Sequence, residues 1–367
     1  MVAFAKKWRS AWLPMVMLLS LVMVVASCGG DEPAAPAAES ESAAAPTATA
    51  VPFVAQTIKF SDQQFESHWI NNAIASYIIE NGLGHNVETI EMSTPVMQAT
   101  LPTGEIHVNM EGWQQNIMRW YDEEIAAGNM VDLGMTYEGG PQFFTVPTAF
   151  AEEYGIVTIE DMAKPDVKAA LADIEDPSKG AFINCVIGWQ CAEINRAKLE
   201  TYGLVPDHYT IISPGSSGAM EAALAGPQKK GEPVFGYYWA PTALMGMFDW
   251  TIVEEPVHTA ACWEEVGKGR DDPTYLPAEA CAYETLPITK LVWAGLEDLA
   301  PDVWEVLGKM NVGLQPINVT AAWANENDIQ GEWDRAAIYY LQNYEDRWST
   351  WLDAAGVAKV KAALASE

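Results

Sequence analysis

Short apolar segments alternate with helical segments along most of this 367-residue chain, and that order constrains the fold more than any other feature. The elements predicted in the first run are strand Thr57–Phe60, helix Glu66–Asn81, strand Val87–Met92, helix Pro95–Leu101, strand Ile106–Met110, a helix from Trp113 to about Ala127, and strand Gln142–Val146. Alternation of this kind is typical of an α/β fold with a largely parallel sheet.

A second run of the same kind follows. It consists of strands Ala181–Asn184, Tyr209–Ser213, Val234–Tyr238 and Ile288–Trp293, with helices at Ala192–Tyr202 and Ser217–Leu224 between them. The C-terminal segment is predicted to be one long helix ending at Gly356. Its stripe comprises Trp333, Ala337, Tyr340, Tyr344, Trp348 and Leu352. Helical spacing of such a stripe favours core packing over a role in ligand binding.

The N-terminus has the features of an export signal. Three basic residues precede an apolar stretch from Leu13 to Val25, and small residues then lead to Cys28. A cysteine at this point resembles a bacterial lipoprotein signal, which implies cleavage after residue 27 and lipid attachment to Cys28. An ordinary signal peptide or a membrane anchor remains the alternative. We therefore expect a lipid-anchored protein outside the cytoplasm, in the periplasm or on the outer face of the cell membrane.

Residues 28–56 are expected to form a tether between the lipid and the folded part. They are rich in Gly, Ala, Pro, Ser and Thr and have no apolar periodicity. The whole chain has 20 basic and 50 acidic residues and a formal net charge of −30. Binding to phosphates or to anionic lipid requires clustered Lys and Arg, so this charge argues against a nucleic-acid partner.

Four cysteines remain besides Cys28: Cys185, Cys191, Cys262 and Cys281. An even number in an exported protein indicates disulfides. Three pairings are possible, and we favour the local one, Cys185–Cys191 with Cys262–Cys281. Zinc is the rival explanation, but the sequence has no CxxC motif and no nearby pair of His.

No enzyme motif is apparent. The sequence contains no G-x-S-x-G, no H-E-x-x-H and no P-loop, and none of its five His has a metal-ligand spacing with another. Isolated acids such as Glu111 could serve acid–base catalysis, but 50 acidic residues supply many such candidates by chance. We therefore expect neither catalysis nor a cofactor nor a metal.

Tryptophan gives the stronger pattern among the 15 present. Trp113, Trp189 and Trp239 each follow a predicted strand, and open α/β sheets place ligands beyond the carboxyl ends of their strands. Three aromatic faces can enclose a quaternary ammonium, which has no N–H to donate and is held by ring quadrupoles and apolar contact. Each residue taken alone is also compatible with ordinary burial at a helix start.

The segment from Cys185 to Cys191 adds a second element of a site. A disulfide across it would close a tight loop and set the direction of Trp189. The amides of Gln190 and Cys191 then lead into a helix, and helix N-termini present free N–H groups to anions. A cation cage beside donors for a carboxylate describes a betaine site; a disulfide that only stabilises the loop is the alternative.

Three segments together resemble a known family. They are Cys185–Cys191 (CVIGWQC), Pro233–Pro241 (PVFGYYWAP) and Asp328–Gly331 (DIQG). The chain from about residue 57 to its end is similar to the periplasmic glycine betaine/proline betaine-binding proteins of ABC importers. The resemblance implies a two-lobe type II periplasmic-binding-protein fold with the ligand in the cleft between the lobes. It also implies that Trp113, Trp189 and Trp239 form the cage and that the Gln190 and Cys191 amides contact the carboxylate.

One position departs from that family. Members with this loop have a His four residues after the first cage Trp, and here the position is Ile117, preceded by Asn116. Glu111 lies two residues before Trp113, and an added acid there would suit choline or another net cation. Asn116 and Glu111 are therefore possible ligand contacts, and so are His68 and Trp69 at the start of the first long helix.

These expectations define a domain plan and a function. The first lobe is expected at 57–146 and 288–367, with the second lobe at 147–287. The protein would capture a quaternary ammonium osmolyte, glycine betaine or proline betaine, and present it to the ABC permease subunits in the membrane. A choline or carnitine-type ligand is the main alternative. A secreted Trp-rich carbohydrate-binding protein or hydrolase is the alternative from a different class.

Overall fold

The computed structural model describes residues 53–329 and 331–367. The expected signal peptide, the lipidation site Cys28 and the tether up to residue 52 therefore lie outside the described residues. Within the described part, no helix combines the length and the apolar character needed to cross a membrane.

The described strands form two five-stranded sheets. The strands are β1 (Thr57–Asp62), β2 (Asn86–Glu91), β3 (Val108–Gly112), β4 (Met130–Tyr137), β5 (Gln142–Pro147), β6 (Gly180–Ile183), β7 (Tyr209–Ile212), β8 (Gly236–Trp239), β9 (Trp250–Ile252) and β10 (Ile288–Trp293). We call the part built on the sheet with the order β2-β1-β3-β10-β4 the first lobe. The second lobe is built on the sheet with the order β7-β6-β8-β5-β9.

Helices surround both sheets. The α-helices are α1 (Glu66–Ile78), α2 (Thr94–Thr100), α3 (Gln114–Ala127), α4 (Thr148–Tyr154), α5 (Pro165–Ala170), α6 (Gln190–Thr201), α7 (Ser217–Lys230), α8 (Ala243–Met247), α9 (Ala260–Asp271), α10 (Leu296–Leu299), α11 (Pro301–Lys309), α12 (Leu314–Glu326), α13 (Trp333–Asn343), α14 (Glu345–Trp348) and α15 (Ala354–Leu364). A π-helical turn (Ile79–Leu83) continues α1, and a 3₁₀ helix (Ile159–Ala163) precedes α5.

The sheets are mixed, whereas the sequence predicted a largely parallel one. β1 is parallel to β2 and β3, but β10 is antiparallel to β3 and β4. In the second sheet β6 is parallel to β7 and β8, but β5 is antiparallel to β8 and β9. The antiparallel strands β4 and β9 were not predicted. All residues of β3 and β5 are buried, and α1 packs against β3 and α4 against β5.

One predicted domain boundary is wrong at β5. We expected this strand to close the first lobe, but Phe144 pairs with Tyr237 of β8, so the strand belongs to the second sheet. Strand pairing is a long-range contact, and the sequence of β5 is apolar enough for either core. The chain returns to the first sheet at Ile288, where β10 begins between β3 and β4.

The C-terminal segment is three helices instead of one. Tyr344 has a non-helical backbone (φ −128°, ψ 42°) and separates α13 from α14. The Asp353 side chain accepts a hydrogen bond from the backbone N of Gly356 (2.7 Å) and caps α15, so Gly356 lies in the first turn and is not a stop. The expected core packing of the stripe is confirmed, since Ala337, Tyr340, Trp348 and Leu352 are buried in the first-lobe core.

Candidate functional site

A small cavity lies between the lobes, at the carboxyl ends of β1, β3, β6 and β8. Its volume is about 50 Å³. Drug-sized ligands occupy pockets of roughly 300–1,000 Å³, so this cavity suits a much smaller solute. Residues of both lobes line it, as expected for a ligand held in the cleft.

Four of the aromatic rings that line the cavity lie close together. The structure brings together Trp113, Trp189 and Trp239, the three residues selected from the sequence, and adds Phe65. The Phe65 ring centroid lies 5.5 Å from that of Trp189, 6.1 Å from that of Trp239 and 6.5 Å from that of Trp113, in each case edge to face. Trp189 and Trp239 are 5.5 Å apart. We call these four rings the aromatic cage.

Each lobe supplies two rings of the cage. Phe65 precedes α1 and Trp113 precedes α3, both in the first lobe. Trp189 precedes α6 and Trp239 is the last residue of β8, both in the second lobe. Because the rings meet across the cleft, a group enclosed by them contacts both lobes at once.

The Cys185–Cys191 disulfide closes the loop that carries Trp189, and Cys262–Cys281 is the other disulfide, so the favoured local pairing is confirmed. Gly188 has a positive φ of 91°, which an L side chain rarely adopts. Its carbonyl accepts a hydrogen bond from the backbone N of Thr94 in the first lobe (3.2 Å). The loop is thus held from within its own lobe and from the other one.

The loop also delivers the amide end of the site. Gln190 and Cys191 are the first two residues of α6, and both line the cavity. Backbone N–H groups in the first turn of a helix have no partner within the helix. The Gln190 side chain donates across the cleft to Oε1 of Gln98 on α2 (3.0 Å). Gln190, Cys191 and the cage residues, which were expected to form one site, therefore line the same cavity.

Glu111 is the charged group of the cavity. It is 1% exposed and accepts hydrogen bonds from Tyr137 Oη (2.7 Å), Asn71 Nδ2 (2.7 Å), Trp113 Nε1 (3.1 Å) and Ser67 Oγ (3.3 Å). Burial raises the pKa of its carboxyl to about 7, although these four hydrogen bonds act in the opposite direction. Glu111 lies in β3 and lines the cavity.

Asn116 and Ile117 follow Trp113 in sequence, whereas Glu111 precedes it, and they also line the cavity. Asn116 and Gln142 donate to each other through their side-chain amides (3.0 and 3.1 Å), and Tyr237 Oη donates to Gln142 Oε1 (2.6 Å). The carbonyl of Asn116 accepts from Arg270 Nη1 of the second lobe (2.8 Å). Asn116 is therefore part of a polar contact between the lobes.

His68 and Trp69, the other two candidates, do not line this cavity. His68 is fully buried beside Phe65, with 5.0 Å between ring centroids, and burial lowers its pKa to about 3. Trp69 stacks on Trp333 at 4.9 Å and lines a separate cavity of about 430 Å³. Both are packing residues with respect to the cage.

Sequence reasoning missed seven residues that line the cavity: Gln63, Phe65, Thr94, Met97, Asn109, Gln142 and Tyr237. Gln63 and Phe65 follow β1 directly, and Asn109 lies within β3. Ligands bind beyond the carboxyl ends of strands. This rule would have selected Gln63 and Phe65 if it had been applied to residues other than Trp. Among the described residues, no group of three His, Cys, Asp or Glu is placed to hold a metal ion.

Comparison with known proteins gives the chain a family. Residues 56–343, more than half of the chain, match the substrate-binding domain of ABC-type glycine betaine transport systems. The chain is 22% identical to the trimethylamine N-oxide-binding protein of Pelagibacter ubique over 218 residues (59% of this chain and 67% of that protein). It is also 22% identical to the glycine betaine/proline betaine-binding periplasmic protein of Escherichia coli over 294 residues (76% and 83%).

The fold is shared with a solved structure, the glycine betaine/L-proline-binding protein of an ABC transporter from Borrelia burgdorferi. The TM-score is 0.66 at 19% identity, and the alignment covers 83% of this chain and 99% of that one. The two-lobe fold expected from the sequence is thereby confirmed, with mixed sheets. The chain belongs to the family of substrate-binding domains of ABC-type glycine betaine transport systems.

Proposed function

We propose that the aromatic cage binds the methylated ammonium group of a small osmolyte of the glycine betaine type, and that the chain delivers this ligand to the permease of an ABC importer. The observation that carries the proposal is the convergence of four aromatic rings from two lobes on one small cavity. Trp113, Trp189 and Trp239 are the proposed cation contacts, as expected from the sequence, and Phe65 is a fourth.

The chemistry of the ligand explains this lining. A quaternary ammonium has no N–H, so hydrogen bonds contribute nothing to holding it, whereas each aromatic face contributes roughly 0.5–2 kcal/mol. The indole N–H of Trp113 donates to the Glu111 carboxyl, which adds negative charge at the edge of that ring when ionised. A betaine also carries a carboxylate, for which the amides of Gln190 and Cys191 at the start of α6 are the proposed partners.

Binding is expected to close the lobes on the ligand by a hinge motion. The closed form would then be recognised by the permease subunits, and the lipid on Cys28 would keep the protein at the membrane. The relatives named for trimethylamine N-oxide and for glycine betaine/proline betaine both support a small methylated zwitterion.

Choline or a carnitine-type compound is the second candidate. Glu111 favours it, because an ionised carboxylate attracts a net cation and repels the carboxylate of a betaine. A hydrolase is a poorer fit, since glycoside hydrolysis requires a pair of carboxyl groups. Of the described residues that line the cavity, Glu111 is the only one with a carboxyl group.

Calorimetric titration of the purified protein with glycine betaine, proline betaine, choline and carnitine tests the proposal. Trp113→Ala, Trp189→Ala and Trp239→Ala should each weaken binding by about 1–3 kcal/mol through lost cation–π contact and apolar burial. Trp304→Ala on α11, outside the cavity lining, is the matched control and should leave affinity unchanged. Unchanged affinity in two of the three folded cage variants would contradict the assignment.

A further inference from the structure

Two buried amide donors in the cavity lining have no hydrogen-bond partner among the described residues. They are Nε2 of Gln63 and Nδ2 of Asn109. Gln63 is 5% exposed and Asn109 is fully buried. A buried donor without a partner costs about 1–3 kcal/mol, and native structures therefore rarely keep one without a reason. Two such donors in the lining of one small cavity indicate that a ligand satisfies them.

The surroundings settle which atom of Asn109 is free. Its Oδ1 accepts a hydrogen bond from the backbone N of Glu111 (3.3 Å), so the NH₂ group is the unpaired end. The backbone N of Gln63 donates to Nδ1 of His68 (3.3 Å), which holds the loop after β1 against α1. Both side chains therefore sit on backbone that is anchored within the first lobe.

We propose that the side-chain amides of Gln63 and Asn109 bind the anionic oxygen of the ligand from the first lobe. The proposal rests on the proposed function, since it assigns the second end of a ligand whose methylated ammonium lies in the aromatic cage. The acceptor is a carboxylate or an amine oxide oxygen, because neutral N–H donors favour a negatively charged partner.

This assignment changes how the site is divided between the lobes. The sequence pointed only to the α6 amides of the second lobe for the ligand oxygen, and Ile117 supplies no donor on the first lobe. With Gln63 and Asn109, each lobe contributes both aromatic rings and oxygen-binding donors. The oxygen end as well as the ammonium end then links the two lobes in the closed form.

The test separates the two ends of the ligand by choice of probe. Glycine betaine and trimethylamine N-oxide carry both a methylated ammonium and an anionic oxygen, whereas tetramethylammonium carries only the cation. Gln63→Met removes one donor without adding charge. Asn109→Asp replaces the NH₂ group by oxygen and keeps the acceptor for the backbone N of Glu111. We expect each variant to bind the two zwitterions roughly 10–100-fold more weakly and to bind tetramethylammonium no more weakly than wild type does.

Stability supplies the second readout, and a buried amide with a partner supplies the control. Asn72 is buried on α1, and its Nδ2 donates to the carbonyl of Ser61 (2.8 Å). Asn72→Asp should lower the melting temperature without changing affinity for any probe. Gln63→Met should leave the melting temperature of the ligand-free protein unchanged or raise it, because it removes an unpaired buried donor.

The outcomes distinguish the two proposals. If wild type binds neither the zwitterions nor tetramethylammonium, the proposed function itself fails. If wild type binds all three and Gln63→Met and Asn109→Asp retain full affinity for the zwitterions, the oxygen-binding role is overturned while the cage stands. An equal loss for the zwitterions and tetramethylammonium also overturns it, since that result indicates a general disturbance of the cavity.

Discussion

At the scale of single residues, Glu111 is the side chain expected to set the charge preference of the cavity. Its carboxyl is packed between α1, which supplies Ser67 and Asn71, and the side chains of Trp113 and Tyr137. None of these groups carries a positive charge, and burial raises the pKa of Tyr137 well above its ordinary value. Among the described residues, the hydrogen-bond partners of Glu111 therefore supply no opposite charge, and a cationic ligand in the cage would supply one.

The pH dependence of binding follows from the raised pKa of Glu111, about 7. The neutral Glu111 carboxyl contributes to folding stability below the ordinary carboxyl pKa. This contribution is lost as pH rises through about 7, because ionisation of the buried group is unfavourable. Cation binding favours the ionised form, so the affinity for choline should rise between about pH 6 and about pH 8. Glu111→Gln should abolish that rise.

The matched control is Glu66→Gln. Burial also raises the pKa of Glu66 to about 7, but Glu66 does not line this cavity. The pH dependence of choline binding should therefore persist in this variant. A wild-type affinity for choline that does not change with pH would contradict the role given to Glu111.

Glu111→Gln should also change ligand preference. The substitution removes a charge that attracts choline and repels the carboxylate of a betaine, and at about 4–6 Å in a partly desolvated cleft this is worth about 1–3 kcal/mol. Paired titrations of wild type and Glu111→Gln with glycine betaine and choline should show a higher ratio of betaine to choline affinity in the variant. Equal ratios in both proteins would mean that the carboxyl is neutral in the bound state.

Among the elements, the loop before α6 has the clearest link to function. It carries Trp189, begins the helix whose first amides line the cavity, and is closed by Cys185–Cys191. The second disulfide, Cys262–Cys281, begins within α9 and spans 19 residues compared with 6. The entropic contribution of a disulfide to stability grows with the length of the loop that it closes. The longer loop should therefore contribute more to stability, whereas the shorter one lies at the cavity.

The two disulfides, removed one at a time by paired Cys→Ser substitution, should differ in what they affect: the first mainly binding, the second mainly stability. Loss of Cys185–Cys191 should weaken glycine betaine binding about tenfold or more, at about 1.4 kcal/mol per factor of ten, because Trp189 loses its fixed direction. Its cost in unfolding free energy should be about 2 kcal/mol, against about 3 kcal/mol for Cys262–Cys281. Titration calorimetry and denaturant unfolding measure the two effects. Unaltered binding after loss of Cys185–Cys191 would show that packing alone orients Trp189.

At the scale of the whole molecule, the two lobes are joined by contacts around the cavity. Gln98 and Gln190 pair across the cleft, and the backbone N of Thr94 donates to the carbonyl of Gly188. Arg270 of the second lobe bonds to the carbonyl of Asn116 on α3. Asn116 also pairs with Gln142, and Trp263 Nε1 donates to the carbonyl of Gln115. Together with the facing cage rings, these contacts make the relative position of the lobes sensitive to what fills the cavity.

Ligand binding should therefore compact and stabilise the protein together. Glycine betaine at 100 times its dissociation constant should add about 2.7 kcal/mol to the free energy of unfolding. Small-angle X-ray scattering should show a smaller radius of gyration on addition of the ligand, and Trp189→Ala, which lacks one cross-cleft ring, should show less change at the same concentration. A radius of gyration that stays constant while the melting temperature rises would argue for binding without lobe closure.

Local chemistry in the sequence determined much of this protein. Periodicity located β10 at its observed bounds and the other strands that it predicted within a few residues, but β4, β9 and the helices α8 to α12 were not predicted. Cysteine spacing indicated the pairing that the structure shows. Tryptophan after successive strands selected three rings that do meet in one cavity. These features depend on residues close together in the chain, so they can be recognised without knowing the fold.

Tertiary structure alone decided the rest. The pairing of β5 with β8, the entry of Phe65 into the cage and the meeting of Gln63 with Asn109 all join residues from distant elements. The burial of Glu111 depends on Asn71 and Tyr137, which are 40 and 26 residues away in sequence. The sequence indicates what chemistry each side chain can perform. Which side chains share a cavity depends on the order of the strands and on the position of one lobe against the other. Only the packing of the whole chain determines both.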